Sequence, residues 1–120
     1  MPWTLDQSNE RFDRWSHTAI EADGTNNTDE LEVASYNVIT VQSVHASHDD
    51  TSTVTLQNTE DGTNFDSVSG ATITTSGASG SGSIVVSPTN FRTIRLRITE
   101  TDGNASATQT LYVTGRKSHP

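Results

Sequence analysis

The sequence has no cysteine in its 120 residues. Disulfide bonds and cysteine-ligated zinc, two common supports of small domains, are therefore excluded. A chain of this length fits one domain with a thin core. We expect further stability to come from association with other chains, because a partner that binds only the folded state stabilises it by mass action.

Apolar and basic residues are also scarce. The apolar fraction is 30%, and Ser and Thr together number 35, so threonine methyl groups must supply part of the packing in strands. Seven Lys and Arg stand against 15 Asp and Glu, which gives a net charge of −8. This balance argues against nucleic acid and anionic membranes as partners, since both bind positive surfaces.

No apolar run reaches the length of a membrane span, and the first residues lack the pattern of a secretory signal.

The sequence does contain short runs rich in β-branched residues, separated by turn residues. In the clearest run, residues 91–99, apolar side chains alternate with Arg95 and Arg97. Strands are predicted at residues 36–44, 52–57, 65–68, 71–75, 84–86, 91–99 and 108–114. The nearest helix candidate, residues 9–15, is short and weak. The fold class is therefore all-β, an antiparallel β-sandwich or jelly-roll-like domain with an extended N-terminal segment.

Composition divides the chain into three parts. Residues 1–33 hold eight of the 15 acidic residues and are expected to form an acidic N-terminal arm or peripheral strands. Residues 34–115 form the β-sandwich domain, and residues 116–120 form a mobile basic tail. Within the sandwich, residues 76–83 contain only Gly, Ser and Ala, which predicts a flexible loop.

No arrangement of residues points to catalysis. There is no Gly-x-Ser-x-Gly elbow, and the glycine-rich run lacks the Lys and the following helix of a phosphate cradle. Residues 45–50 contain two His and two Asp, but imidazoles three residues apart share a face only on a helix, which favours a solvated loop over a metal site. Calcium could suit the loops at Asp61 and Asp102, yet tight turns use the same Asp-Gly pairs. We expect no enzymatic activity, no metal site and no cofactor.

Two groups of residues are candidates for a partner interface. They are Trp3, Phe12 and Trp15 in the acidic segment, and Arg92, Arg95 and Arg97 in and beside the clearest predicted strand. The aromatic group could belong to an arm that docks on a neighbour or to a peripheral strand. The arginine group could be a solvated sheet face opposite acidic cross-strand neighbours. It could instead be a basic patch that faces an acidic surface of another subunit.

The order of motifs from Tyr36 to Gly115 resembles the small β-sandwich proteins of tailed-phage particles. The central motif reads Ser/Thr-x-Asp-Gly-x-Asn-aromatic and occupies residues 59–65. Strand-like runs at residues 37–42 and 53–58 precede it, and the arginine-rich run 91–98 follows it. In those proteins the central motif is a hairpin and the later arginine-rich strand pairs in the core sheet. The resemblance covers about two-thirds of the chain and excludes residues 1–33.

The resemblance implies a virion structural protein without catalytic residues. The expected role is that of a capsid decoration (cement) protein, which binds the assembled shell on the capsid exterior and stabilises it by bridging capsomers. Its partners would be the major capsid protein or other virion proteins, together with further copies of itself, for which a trimer is one arrangement. The alternative is a tail, fibre or host-surface-binding β-sandwich module that could recognise carbohydrate.

Overall fold

A computed structural model describes residues 3–20, 24–46, 51–75, 79–87, 91–100 and 108–117. These residues form ten strands and no helix, and so they contain no helical segment fit to cross a membrane. The strands are β1 (Thr4–Ser8), β2 (Phe12–Ile20), β3 (Gly24–Asn27), β4 (Leu31–Glu32), β5 (Tyr36–Ala46), β6 (Ser52–Thr59), β7 (Asp66–Thr75), β8 (Ser79–Val86), β9 (Thr93–Glu100) and β10 (Thr108–Lys117).

The strands form two antiparallel sheets. Sheet A has the order β1-β2-β10-β5-β8. Sheet B has the order β3-β9-β6-β7, with the short β4 also paired to β9. The predicted fold class, an all-β antiparallel sandwich, is confirmed.

The core lies between the inward faces of the two sheets. The alternation in β9 predicts its faces correctly, because Ile94, Leu96 and Ile98 are buried whereas Arg97 is exposed. Sheet A contributes inward-facing aliphatic side chains from β5 and β10, among them Val41 opposite Val113. Each fully buried aliphatic side chain stabilises the fold by about 1.5–3 kcal/mol, so this layer provides most of the driving force for folding.

One end of the core is closed by Tyr36. A Cβ on Gly115 would lie 2.5 Å from the Tyr36 ring, so only glycine lets the ring lie against β10. The Tyr36 hydroxyl then donates a hydrogen bond of 2.6 Å to Asp13 Oδ2 on β2. Burial, with this bond, raises the pKa of Tyr36 to about 12. Hydrogen bonds from Ser8 and Tyr36 hold the pKa of Asp13 below its usual value.

The other end of the core is polar. Ser52 on sheet B donates a hydrogen bond of 2.7 Å to Gln109 Oε1 on sheet A. Gln109 Nε2 in turn donates to Ser43 Oγ on β5, also at 2.7 Å. His17 and His45 are buried at the same end. A buried hydrogen bond therefore joins the two sheets here, and a second one extends it within sheet A.

The structure corrects two predictions about local structure and shows a strand at the weak helix candidate. Residues 9–15 include the start of strand β2 and no helix, because the whole of β2 pairs with β10. The predicted loop at 76–83 contains most of β8, whose backbone pairs with β5 along its entire length. The predicted mobile tail begins too early, since β10 continues through Arg116 to Lys117. Lys117 Nζ also donates to the carbonyl oxygen of Asn9 at 2.7 Å.

Glycine explains why β8 is a strand. A Cβ on Gly82 would lie 2.8 Å from Ile73 Cγ2 of β7, and one on Gly80 would lie 3.1 Å from the His45 ring. The small residues therefore let β8 approach both its own sheet and the opposite one. The composition of this run predicts a linker, but in the structure its small residues allow close packing.

Candidate functional site

The three predicted aromatic residues do not form one surface. Trp3 and Trp15 are half-buried and pack against the core. Trp3 Nε1 donates to the carbonyl oxygen of Asp29 at 2.9 Å, and its ring centroid lies 5.5 Å from that of His17. Phe12 is half-buried on the opposite, outer face of sheet A, beside Arg116. Only Phe12 of the three is thus placed on an outward-facing sheet surface.

The three predicted arginines have different surroundings. Arg95 Nε donates to Gln57 Oε1 at 2.9 Å, and its guanidinium carbon lies 4.0 Å from the centroid of the Phe65 ring. Arg97 is exposed on the same face of sheet B, opposite Asn27 and Thr55. The expectation of acidic cross-strand neighbours is therefore wrong for Arg95 and Arg97.

Arg92 lies apart from this face and does have acidic neighbours. It is exposed, immediately before β9, and lines a recess of about 140 Å³. The acidic residues that share the recess are Glu30, Glu32, Glu60 and Asp61. Attraction between exposed charges of this kind is weak. The acidic residues therefore do not hold the Arg92 side chain in one conformation.

The loop between β6 and β7 uses Asp61 to hold its own backbone. The Asp61 carboxylate accepts hydrogen bonds of 2.8 Å from the backbone N–H groups of Thr63 and Asn64. These bonds hold the pKa of Asp61 well below its usual range. Gly62 adopts a positive φ of 80°. A turn therefore accounts for this Asp-Gly pair, whereas the second pair, at Asp102, lies outside the described residues.

The histidine-rich segment differs from the predicted solvated loop where the structure describes it. His45 is buried in β5, opposite Gln109. Residues 47–50 lie outside the described residues. No group of three or more His, Asp or Glu side chains suited to a metal ion occurs in the described part of the chain.

The outer face of sheet A carries two concave surfaces. One depression of about 450 Å³ lies over β2, β10 and β5, and is lined by Arg14, Thr40, Gln42, Val44, Tyr112 and Thr114. A second depression of about 380 Å³ is lined by Arg11, Phe12, Val38, Thr40, Thr114 and Arg116. Since both include Thr40 and Thr114, they are adjacent along the sheet. We call these ten residues the outer groove.

The outer groove is basic although the protein is acidic. Its lining, as far as the structure describes the chain, contains three arginines, Arg11, Arg14 and Arg116, and no acidic residue. The guanidinium carbon of Arg14 lies 5.4 Å from the centroid of the Tyr112 ring. Asp6 Oδ2, outside the groove lining, lies 3.9 Å from Arg14 Nε. The arrangement suits an anionic ligand that can also contact an aromatic ring.

Sequence reasoning missed the outer groove because it missed β2. Arg14 lies in β2, and Tyr112 is brought beside it only by the pairing of β2 with β10. The signal was present as alternation: Arg14, Ser16 and Thr18 face outward while the two residues between them face the core. The alternation was not recognised because the inward residues, Trp15 and His17, are not aliphatic.

Comparison with known proteins gives the fold alone. No protein-family model and no curated protein sequence matches the chain. Among solved structures, the exported protein XepA of PBSX aligns with a TM-score of 0.63 at 12% identity, over 88% of this chain and 38% of XepA. A CBM4 structure aligns with a TM-score of 0.50 at 8% identity, over 96% of this chain and 78% of the other. A chain from the disulfide-linked pili of Bacillus endospore appendages aligns with a TM-score of 0.50 at 16% identity, over 98% and 100% of the two chains.

These structures share a β-sandwich architecture with this chain. They include a carbohydrate-binding module and a pilus protein, so the fold is compatible with a structural or binding module. The chain spans only 38% of the length of XepA. The likeness therefore concerns a part of XepA and not its whole chain.

Proposed function

We propose that this chain is a non-catalytic structural protein of a phage-related particle, of the capsid decoration type. It would bind the outside of an assembled shell and stabilise it by bridging neighbouring subunits. The likeness in fold to an exported protein of phage PBSX supports this proposal. A partner that binds only the assembled shell stabilises that shell by mass action, and many copies can each bind modestly.

Strand β1 is the observation that carries the proposal. It lies at the edge of sheet A and, among the described strands, pairs with β2 alone. All five of its side chains are exposed, and Leu5 is the apolar one among them. A free strand edge with an exposed apolar side chain is suited to contact with another chain. We assign the shell contact to β1 and to Trp3, which anchors its start.

A reconstitution experiment tests this assignment. Particles from a phage that lacks the gene are mixed with purified protein, and bound copies and the temperature of genome release are measured. The wild-type protein should bind to saturation and raise that temperature. Leu5→Glu should bind about tenfold more weakly, a loss of about 1.4 kcal/mol. The matched control is Val85→Glu, which places the same charge on β8, the edge strand at the opposite side of sheet A.

Two outcomes would reject the decoration role. One is that wild-type protein fails to bind the particles. The other is that it binds without changing their stability. Native mass measurement of the purified protein tests the accompanying proposal of a homo-oligomer, for which a trimer is one arrangement.

A second candidate function is that of a tail, fibre or host-surface-binding module. The outer groove favours it, because a half-exposed aromatic ring and arginines line a concave sheet face. The two functions use different surfaces of the same sheet, its edge and its outer face. They can therefore be tested separately.

A further inference from the structure

We propose that the outer groove binds an anionic glycan, a saccharide chain that carries carboxylate, sulfate or phosphate groups. This inference goes beyond the decoration role, since it concerns another surface and another class of partner. It rests on the shape of the groove, its charge and the polar groups on its floor. Each of these is a property of the outer face of sheet A.

The shape suits an extended ligand. The floor is formed by three neighbouring strands, β2, β10 and β5, which are paired along most of their lengths. The two depressions, of about 450 and 380 Å³, each have the size of a typical small-ligand site, about 300–1,000 Å³. Because they share Thr40 and Thr114, a ligand of several units could occupy both. The paired strands make this floor rigid, so little ordering is needed on binding.

The charge suits an anion. Three of the seven Lys and Arg residues of the chain lie in the groove, against a net charge of −8 for the whole protein. Guanidinium groups bind carboxylates, sulfates and phosphates through pairs of charge-assisted hydrogen bonds. Asp6 lies close to Arg14, but the two are part-exposed and only just within ion-pair distance, so this pair is weak.

The groups between the arginines suit sugar rings. Thr40, Gln42 and Thr114 face outward, and their side chains make no hydrogen bond with the described residues. Their hydroxyl and amide groups can donate to and accept from sugar hydroxyls. The half-exposed ring of Tyr112 adds apolar surface for contact with the C–H side of a sugar ring. Because Arg14 lies over that ring, a sugar at this position would meet the guanidinium group and the exposed part of the ring together.

Other anionic partners fit less well. Nucleic acid would require many phosphate contacts, and three arginines in a strongly acidic protein supply too few. An acidic peptide would also use the arginines, and poly-glutamate is therefore included among the probes below. A neutral glycan would leave the three arginines without partners. The combination of groups therefore favours a glycan with acidic substituents.

Isothermal titration with oligosaccharides of defined charge tests the proposal. The probes are a heparin hexasaccharide for sulfate, an oligogalacturonate for carboxylate, a glycerol-phosphate oligomer for phosphate and xylohexaose as the neutral control. At least one anionic probe should bind, more weakly at high salt because the attraction is screened. Xylohexaose should not bind measurably. The pattern among the three anionic probes identifies the acidic group.

Variants locate the binding. Arg14→Gln and Tyr112→Ala should each weaken binding of the anionic probe about tenfold or more. Arg116→Gln provides a second exposed position in case either variant fails to fold, as checked by its thermal midpoint. Arg97→Gln is the matched control, since Arg97 is an exposed arginine on the outer face of the other sheet. Its binding should equal that of the wild-type protein.

Several results would overturn the proposal. They are the absence of binding to all three anionic probes, equally tight binding of xylohexaose, and an equal loss of binding in Arg97→Gln. Binding of poly-glutamate as tightly as the best glycan would assign the groove to an acidic protein segment instead. None of these results depends on whether β1 binds a capsid, so the decoration role and the glycan site fail separately.

Discussion

The two ends of the sandwich interior are built from different chemistry although the same strands form both. In β5 the inward residues run from Ile39 and Val41 at one end to Ser43 and His45 at the other. Strand β10 follows the same gradient, since Gln109 stands at the polar end and Leu111 and Val113 follow it toward the other end. Strand β6 begins with Ser52 at the polar end and is aliphatic in its middle, at Val54 and Leu56. We call these the apolar end and the polar end.

This difference assigns different roles to the two ends. At the apolar end, stability comes mainly from the removal of side chains from water, an effect that is non-directional and roughly proportional to the apolar area buried. At the polar end, each buried group must find a partner, so stability depends on particular hydrogen bonds. We therefore expect substitutions at the apolar end to lower the free energy of unfolding the most. At the polar end, we expect a further substitution to restore part of the stability that the first one removes.

The largest expected effect is at the apolar end. Leu96 is fully buried between the sheets, and Leu96→Ala should lower the free energy of unfolding by about 2–5 kcal/mol. Urea denaturation followed by fluorescence measures the loss. Val85→Ala is the control, because Val85 is 64% exposed and its truncation should cost about 0.5 kcal/mol or less. Equal losses in the two variants would show that the apolar end does not dominate stability.

The closure of the apolar end provides the next prediction. Gly115→Ala would place a methyl group against the Tyr36 ring, which must move and strain its hydrogen bond to Asp13. We expect a loss of about 1–3 kcal/mol, the usual cost of overpacking. Thr114→Ser, on the same strand but facing outward, should change stability far less. A wild-type urea midpoint for Gly115→Ala would mean that the ring can shift freely.

At the polar end, the effect should be smaller and reversible. Gln109→Leu removes the partner of both Ser52 and Ser43, and should cost about 1–3 kcal/mol because buried hydroxyls lose their hydrogen bonds. Adding Ser43→Ala and Ser52→Ala removes those hydroxyls, and the triple variant should recover much of the loss. Urea denaturation of the single and triple variants measures this. If the triple variant does not recover stability, the fit of the side chains and not their hydrogen bonding determines the stability of the polar end.

The sequence predicted the apolar end better than the polar end for a physical reason. Alternation of aliphatic and polar residues identifies a buried face, so Val54, Leu56 and Leu96 were placed correctly. Where the inward residues are themselves polar, as with His17 and Ser43, the same period carries no hydrophobic signal. This is why β2 was missed although it pairs across nine residues.

The remaining errors arise from pairing that no local pattern reveals. Strand β8 forms because β5 offers a complementary edge and because Gly80 and Gly82 permit close contacts with other strands. The outer groove exists because β10 lies between β2 and β5, which places Tyr112 beside Arg14. Such features depend on strand order, which is a property of the whole chain and not of any segment.

The smallest expected effect concerns the pH dependence of the polar end. His17 is buried, and neither ring nitrogen has a hydrogen-bond partner among the described residues. Burial lowers the pKa of His17 below its ordinary 6.5, and the carboxylate of Asp29 offsets only part of this effect. Because the unfolded chain then binds the proton more readily, His17 leaves stability intact above pH 6.5 and lowers it as pH falls from there through the folded-state pKa.

The variant His17→Leu should therefore flatten the pH dependence of unfolding below neutrality. Urea denaturation at pH 7.5 and at about pH 5 measures the slope in both proteins, and the wild-type protein should lose more stability on acidification. Leu96→Ala serves as the control, since it lowers stability at both pH values without altering the difference. If the free energy of unfolding depends on pH equally in the wild-type protein and in His17→Leu, the folded polar end accepts a charged imidazole. The two ends would then differ in packing only.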